Sequence, residues 1–140
     1  MNPDTIFSIA NTAVLPAWVL LMAAPKWTWT QRVALITGPL LIGIAYALIA
    51  ARMLPASGGN FASLAGVAAL FADRRILLAG WLHYLAFDLF VGAWEARDSA
   101  ALGLPRVILI PCLLLTFLLG PLGLLLYLGF RFSRRREWPF

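Results

Sequence analysis

The chain has 140 residues, of which 62% are hydrophobic and 12% are charged, and its formal net charge is +5. This composition is typical of a polytopic membrane protein. It argues against a soluble core and against nucleic-acid binding, because the basic residues lie at the ends of apolar runs. We therefore expect a single transmembrane domain, residues 1–140, in contact with the lipid bilayer.

Four apolar runs are long enough to cross a membrane, since about 20 helical residues span the roughly 30 Å hydrocarbon core. Their predicted bounds are Asp4–Met22, Gln31–Arg52, Ile76–Asp98 and Pro105–Phe130. A fifth run, Phe61–Phe71, is about half as long and is typical of an interfacial helix. The sequence thus predicts an all-α fold: a four-transmembrane-helix bundle with a short interfacial helix between helices two and three.

The distribution of basic residues predicts the orientation of these helices. Four spans place both termini on one side, and seven basic residues near the C-terminus and in the loop after helix two would lie there, against four on the other side. Because Lys and Arg concentrate in cytoplasmic loops, we expect an inner (cytoplasmic) membrane protein with both termini in the cytoplasm.

Helix four contains a break signal at Gly120-Pro121. Pro121 has no amide hydrogen to donate to the carbonyl of Phe117. Such a break is typical either of a packing kink or of a helix that lines a cavity. One stripe of this helix should face the bundle, because small and polar side chains pack better against protein than against lipid; it comprises Cys112, Thr116, Gly120, Gly123 and Tyr127.

Helix three contains the side chains whose burial in the membrane costs the most free energy, namely His83, Asp88 and Glu95. Asp88 falls near the middle of the run, where a carboxylate costs about 2.5–3.5 kcal/mol on insertion scales. At 100° per residue, Asp88 and Glu95 share a stripe with Trp81 and Tyr84, whereas His83 points about 140° away from Asp88. His83 and Asp88 therefore cannot pair within one helix.

Two interpretations of Asp88 follow from its depth. Because desolvation disfavours the charged form, a protonated Asp88 could serve as a general acid. Alternatively, Asp88 hydrogen-bonds the Thr116 hydroxyl or a freed carbonyl and fixes the order of the helices. Asn11, Tyr46 and His83 form a second polar layer about 9–12 Å from the membrane edge.

Other kinds of site are less compatible with the sequence. His83, Asp88 and Glu95 are scattered along their helix, so we expect no metal site. There is no second histidine for a haem and no nucleotide or flavin signature, so we expect no cofactor. The lone Cys112 allows no intrachain disulfide. An ion or proton path along Asp88 and Glu95 is a further alternative.

The third and fourth runs resemble a known family. The segments WLHYLAFDLFVGAWEARDS (residues 81–99), LPRVILIPCLLLTFLLGPLGLLLYL (104–128) and LPAWVLLMAAPKW (15–27) are similar to the bacterial branch of the abscisic-acid-deficient-four-like, neoxanthin synthase-related family. The most specific pattern is Trp-x-His-x-x-x-x-Asp-Leu-Phe, which begins at Trp81.

This resemblance implies carotenoid or isoprenoid binding and an isomerase-like epoxide opening. In that chemistry an acid protonates the epoxide oxygen and a base removes a vinylic proton, so no electrons are exchanged. The roles implied for this chain are Asp88 as acid and His83 as base, with Glu95 as the alternative base. Tyr84 and Thr116 would orient the oxygen, and the other expected ligand-binding residues are Trp81, Tyr46 and Asn11.

A second hypothesis makes the protein a non-catalytic membrane subunit. It would bind pigment or lipid and pack against larger membrane partners or further copies of itself. The small size and the rows of Gly and Ala are equally typical of such a subunit.

Overall fold

The computed structural model describes residues 2–135, which consist of helices and their connections without any strand. The predicted all-α class is confirmed. The helices are α1 (Pro3–Ala23), α2 (Thr28–Ala56), α3 (Leu64–Ala72), α4 (Arg74–Leu102), α5 (Arg106–Leu119) and α6 (Pro121–Arg135).

Three of these helices, α1, α2 and α4, are long and apolar enough to cross a membrane. α1 begins where the Asn2 side chain accepts a hydrogen bond from the amide of Asp4. α4 is likewise capped by Asp73, which accepts from the amide of Arg75, and it ends at Gly103 with a left-handed φ of 65°. Such caps satisfy amides and carbonyls that a helix end leaves free.

α4 is the central helix and packs against all the others. Small residues on α4 and α2 allow this close packing. Gly92 makes room for the indole of Trp18, since a Cβ added at Gly92 would lie 2.6 Å from that ring. Gly38 of α2 lies against Leu89 and Ala86 in the same way. The side chains of one helix therefore fill the grooves of the next around α4.

α2 changes its winding within the span. Residues Ile36–Ile42 form a π-helix that contains Gly38 and Pro39, followed by an α-helical segment from Gly43 to Met53. Pro39 cannot donate a backbone hydrogen bond, and a widened π turn is one way for a helix to accommodate such a residue. The Gly38-Pro39 pair thus interrupts the regular α-helical winding of α2 within its span.

The short helix α3 agrees with the predicted half-length helix, although it begins at Leu64 instead of Phe61. Its first turn is capped by Ser63, whose hydroxyl accepts from the amide of Gly66. Phe71 at its other end contacts α4 at Gly80. The location of α3 at a membrane interface stays a prediction.

The fourth apolar run does not form one helix. α5 ends at Leu119, and Gly120 adopts φ 43° and ψ −96°, which reverses the direction of the chain before α6 begins at Pro121. A Cβ added at Gly123 of α6 would overlap the backbone of Thr116 in α5. Two residues seven apart are about 10 Å apart along one continuous helix, so this contact requires α5 and α6 to lie side by side.

The far end of α6 confirms that it runs back along α5. The hydroxyl of Tyr127 donates to Asp98 Oδ2 over 2.6 Å, and Arg131 Nε donates to the same oxygen over 2.9 Å. Asp98 lies near the end of α4, close to where α5 begins. α5 and α6 thus form a helical hairpin, which we call the C-terminal hairpin, with its tip at Gly120-Pro121.

The hairpin changes the predicted path of the chain. The 14 residues of α5 are too few to meet the length of a full span, so the four-span bundle is not confirmed. We call the side that holds the starts of α1 and α4 the N-terminal face, because Arg74 pairs there with Asp4 over 2.6 Å. The end of α6 lies on the opposite face, next to Asp98.

We predict that Gly123→Ala disrupts the C-terminal hairpin, because the added methyl overlaps the Thr116 backbone. Overpacking against a rigid backbone should destabilise the protein by about 1–3 kcal/mol or more. Gly129→Ala is the matched control: it lies in the same helix, a Cβ there meets nothing within 4 Å, and it should stabilise by about 0.5–1 kcal/mol. Thermal unfolding in detergent measures both. Equal melting temperatures for the two variants would contradict the hairpin.

The hairpin also predicts which positions share a side of the membrane. In a Cys112→Ala background, single cysteines replace exposed residues: Ala62 before α3, Ala101 at the end of α4, and Ser133 near the end of α6. With a membrane-impermeant thiol reagent on intact cells and on inverted vesicles, position 133 should label from the same side as 101 and opposite to 62. Labelling of 133 together with 62 would instead indicate a complete fourth span.

Candidate functional site

Asp88 lies at the middle of α4, directly against the tip of the C-terminal hairpin. A Cβ added at Gly120 would lie 2.8 Å from Asp88 Oδ1, so the tip has room only for a glycine. The positive φ of Gly120 demands glycine as well. Asp88 Oδ2 is buried and has no hydrogen-bond partner among the described residues. The tip therefore covers a carboxyl group whose hydrogen-bonding capacity is only partly used.

Tyr84, one turn before Asp88, connects this carboxyl to the hairpin backbone. Its hydroxyl donates to the carbonyl of Phe117 over 3.4 Å and also lies close enough to the Asp88 carboxyl for the two groups to interact electrostatically. The Phe117 carbonyl is the one that Pro121 leaves without a donor, as the sequence predicts. Tyr84 thus supplies the missing donor and remains next to the acid.

Glu95, two turns beyond Asp88, is paired with Thr116 of α5. The Thr116 hydroxyl lies 2.9 and 3.1 Å from the two carboxyl oxygens of Glu95, and both residues are completely buried. Thr116 therefore contacts Glu95 and not Asp88. The pair lies between protein helices, in a place where a large ligand could enter only if the hairpin moved.

Asp98 was not among the residues predicted to matter. It holds Tyr127 and Arg131 at the end of the hairpin, and the Arg131 and Asp98 side chains are only 10% and 18% exposed. The available signal was the spacing of Tyr127 and Arg131, which are four residues apart and share a helix face. This spacing indicates Asp98 as their shared partner only if the chain reverses at Gly120, because a continuous helix would carry both residues away from Asp98.

A groove runs between α1 and α4 from the hairpin tip to the N-terminal face. Its inner part, about 390 Å³, is lined by residues that include Asn11, Trp81, Tyr84 and Phe117. Its outer part, about 470 Å³, shares Trp81 and Tyr84 and continues past Phe7 to Asp4 and Arg74. We call this cleft the α1–α4 groove.

The length and lining of the α1–α4 groove suit a long apolar molecule. Fourteen helical residues separate Arg74 from Asp88, which corresponds to about 21 Å. The hairpin extends only to the level of Asp88, so the part of α4 before it is left uncovered by α5 and α6. Within the groove the Trp81 indole donates to Asn11 Oδ1 over 2.9 Å, so both polar groups face each other and leave the walls largely apolar.

His83 lies on a different face of α4. Its ring stacks on Phe87 at 4.5 Å and meets the edge of Tyr46 from α2 at 5.4 Å. Asp88 instead faces Gly120 and Tyr84, so the structure does not bring His83 and Asp88 together. This agrees with the 140° separation predicted from the sequence. Among residues 2–135, no three His, Cys, Asp or Glu side chains gather in a way that could hold a metal ion.

The predicted site residues therefore fall into three groups. Asp88 and Tyr84 lie at the hairpin tip, with Glu95 and Thr116 farther along the same interface. Trp81 and Asn11 line the α1–α4 groove, and His83 and Tyr46 line a separate cavity between α2 and α4. Only the first two groups adjoin one another, through Tyr84. Tyr84 lines the groove and lies next to Asp88, which is not itself among the lining residues.

Comparison with known proteins agrees with the family resemblance. The family model described as ABA DEFICIENT 4-like matches residues 5–127. Protein ABA DEFICIENT 4, chloroplastic, from Arabidopsis thaliana is 27% identical over 105 residues, which cover 69% of this chain and 48% of the plant protein. The chain thus spans about half the length of that relative. No solved structure matches it. Because the family model covers most of the sequence, the chain belongs to the ABA4-like family.

Proposed function

We propose that this membrane protein binds a carotenoid or related isoprenoid in the α1–α4 groove and isomerises it by acid–base chemistry, with Asp88 as the acid. The observation that carries the proposal is the buried Asp88 Oδ2, which has no hydrogen-bond partner among the described residues. An unpaired ionised carboxylate is far more costly to bury than a neutral carboxylic acid. The site therefore favours the protonated form, which has a proton to give.

The proposed reaction is an epoxide opening in which atoms and electrons balance without a cofactor. Asp88 transfers its proton to the epoxide oxygen as the carbon–oxygen bond breaks, and a base removes a vinylic proton to leave a hydroxyl and an allene. Tyr84 adjoins both Asp88 and the groove, so its phenol is placed to orient the oxygen. Trp81 and Asn11 contribute to the groove wall that holds the chain of the ligand.

The position of the base favours a role for Asp88 itself. His83 faces the other side of α4, and Glu95 is bonded to Thr116 about 10 Å farther along the helix. The carboxylate that Asp88 leaves behind after donating its proton is therefore the nearest base to the vinylic hydrogen. Glu95 is the alternative, because it shares the hairpin-facing side of α4 with Asp88.

The rival function is a non-catalytic subunit that binds pigment or lipid and packs against membrane partners. A specific observation supports it: Glu95 and Asp98, the other acids of α4, both serve as contacts to the C-terminal hairpin. Asp88 touches the same hairpin at Gly120, so its role is compatible with packing alone.

The apolar helices indicate a membrane protein, and we propose the inner (cytoplasmic) membrane as its location. The prediction that both termini are cytoplasmic depends on a fourth span. With the hairpin, Arg131, Arg134 and Arg135 join the opposite face, which then carries seven basic residues of the described chain against three on the N-terminal face. This distribution favours a cytoplasmic location for the end of α6 and places the N-terminal face on the other side of the membrane.

We predict that Asp88→Asn abolishes pigment conversion but not pigment binding. In a carotenoid-producing host the wild type should yield altered pigments, and the variant should lose about 100-fold or more of that yield, as expected for a general acid. Absorbance and chromatography of the extracted pigments measure conversion, and pigment that copurifies measures binding. Asp73→Asn is the matched control, because Asp73 is exposed, does not line the groove, and can be replaced by asparagine as a helix cap.

The other outcomes separate the two functions. Unaltered pigment bound equally to wild type and variant would make the protein a binding subunit with Asp88 as a packing residue. Conversion that survives in Asp88→Asn but fails in Glu95→Gln would transfer the acid–base role to Glu95. If no pigment copurified and none were altered, the carotenoid hypothesis itself would be contradicted.

A further inference from the structure

The cavity between α2 and α4 has features that the proposed reaction does not use. It has a volume of about 290 Å³ and is lined by Pro39, Gly43, Tyr46, His83, Ala86, Phe87 and Phe90. A second cavity of about 240 Å³ shares Tyr46 and His83 and continues between α3 and α4 past Phe61 and Phe71. We call the two together the α2–α4 cavity, and His83 lies where they meet.

His83 and Tyr46 are polar groups at a depth where the membrane offers no partner. By helix length, His83 lies about 13 Å from the start of α4 and Tyr46 about 10 Å from Met53 near the end of α2. Within residues 2–135, neither the imidazole nor the phenol hydroxyl makes a hydrogen bond; their contacts are with aromatic rings. Lipid tails cannot satisfy such groups, and leaving them unpaired in hydrocarbon is unfavourable.

The rings around these two groups define the shape of a suitable occupant. The imidazole lies nearly parallel to Phe87, with an interplanar angle of 22°, and Tyr46 meets it edge-on at 64°. Such a lining favours a flat, conjugated ring. The Tyr46 hydroxyl and an imidazole N–H are both donors, so they call for an acceptor oxygen on that ring.

The cavity owes its space to α2. The π-helix of Ile36–Ile42 ends at Gly43, and a Cβ added at Gly43 would meet only the carbonyl of Gly38 at 3.8 Å. The site is therefore open at this point, and a side chain introduced there would enter the cavity without displacing the backbone.

We propose that the α2–α4 cavity is a second ligand site, which binds the carbonyl-bearing conjugated ring of a quinone-like molecule with a long apolar tail. Tyr46 and His83 donate to the ring carbonyl, Phe87 and Phe90 border the ring, and the tail extends past Phe71 towards α3. Phe71 and Gly80 border both this cavity and the outer part of the α1–α4 groove, but Tyr46 and His83 do not line the groove, so these two donors have no part in the proposed isomerisation.

The single histidine of the chain gives this proposal a direct reporter. Protein labelled with ¹⁵N-histidine in lipid nanodiscs has ring-nitrogen signals from a single imidazole, and a decyl-substituted benzoquinone should shift them in a saturable manner. Decylbenzene, which has the same tail but no oxygen, is the matched probe and should leave the signals unchanged. An equal shift with decylbenzene would overturn the proposal.

Two variants test the contacts. Tyr46→Phe removes one donor and should weaken quinone binding about threefold to tenfold, the effect of one neutral hydrogen bond. Gly43→Leu should fill the cavity and abolish the shift while the protein still folds, as checked by its melting temperature. Undiminished binding in Gly43→Leu would contradict the site. Because pigment conversion is read separately through Asp88, failure of this proposal leaves the proposed function untouched.

Discussion

The reversal of the chain at Gly120 is the constraint on which the rest of the structure depends. A helix that breaks at membrane depth frees backbone groups that lipid cannot satisfy, so the break is tolerated only where protein surrounds it. Gly120 is buried against α4, its amide donates to the carbonyl of Thr116, and Tyr84 donates to the carbonyl of Phe117. Tyr84 and Asp88 in the middle of α4 lie against this hairpin tip, which explains in part why polar side chains occur at this depth.

The three acids of α4 that face the C-terminal hairpin differ in their hydrogen-bond partners. Asp98, near the helix end, is paired with Arg131 and bonded to Tyr127. Glu95 is enclosed and accepts from Thr116. Among these three acids, only Asp88 retains a buried oxygen without a hydrogen-bond partner among the described residues. Asp98 and Glu95 thus hold helices together through satisfied hydrogen bonds, whereas the unsatisfied oxygen of Asp88 is the reason for proposing it as the acid.

Local periodicity was enough to predict the all-α class, the three long helices and the separation of His83 from Asp88. It could not predict the hairpin, because residues 105–130 are continuously apolar and a proline kink leaves the same pattern as a reversal. A kink and a reversal differ in the backbone conformation of Gly120. A glycine permits the positive φ found there, but the presence of a glycine does not by itself predict it. Once the run was treated as one span, Arg131 was placed on the wrong side of the bundle relative to Asp98, and their ion pair was missed.

The two faces of α4 offer different chemistry, and the helix itself keeps them apart. On one face, the Asp88 carboxyl has an oxygen without a hydrogen-bond partner among the described residues; on the other, the His83 imidazole and the Tyr46 phenol line a cavity. Ala86 and Leu89 pack against Gly38 of α2, whereas Phe71 and Gly80 border both the groove and the cavity nearer the N-terminal face. Polar groups left unpaired at this depth lower the stability of the empty protein, and any ligand that satisfies them restores it. The unpaired groups on the two faces of α4 are therefore the basis of both proposed ligand sites.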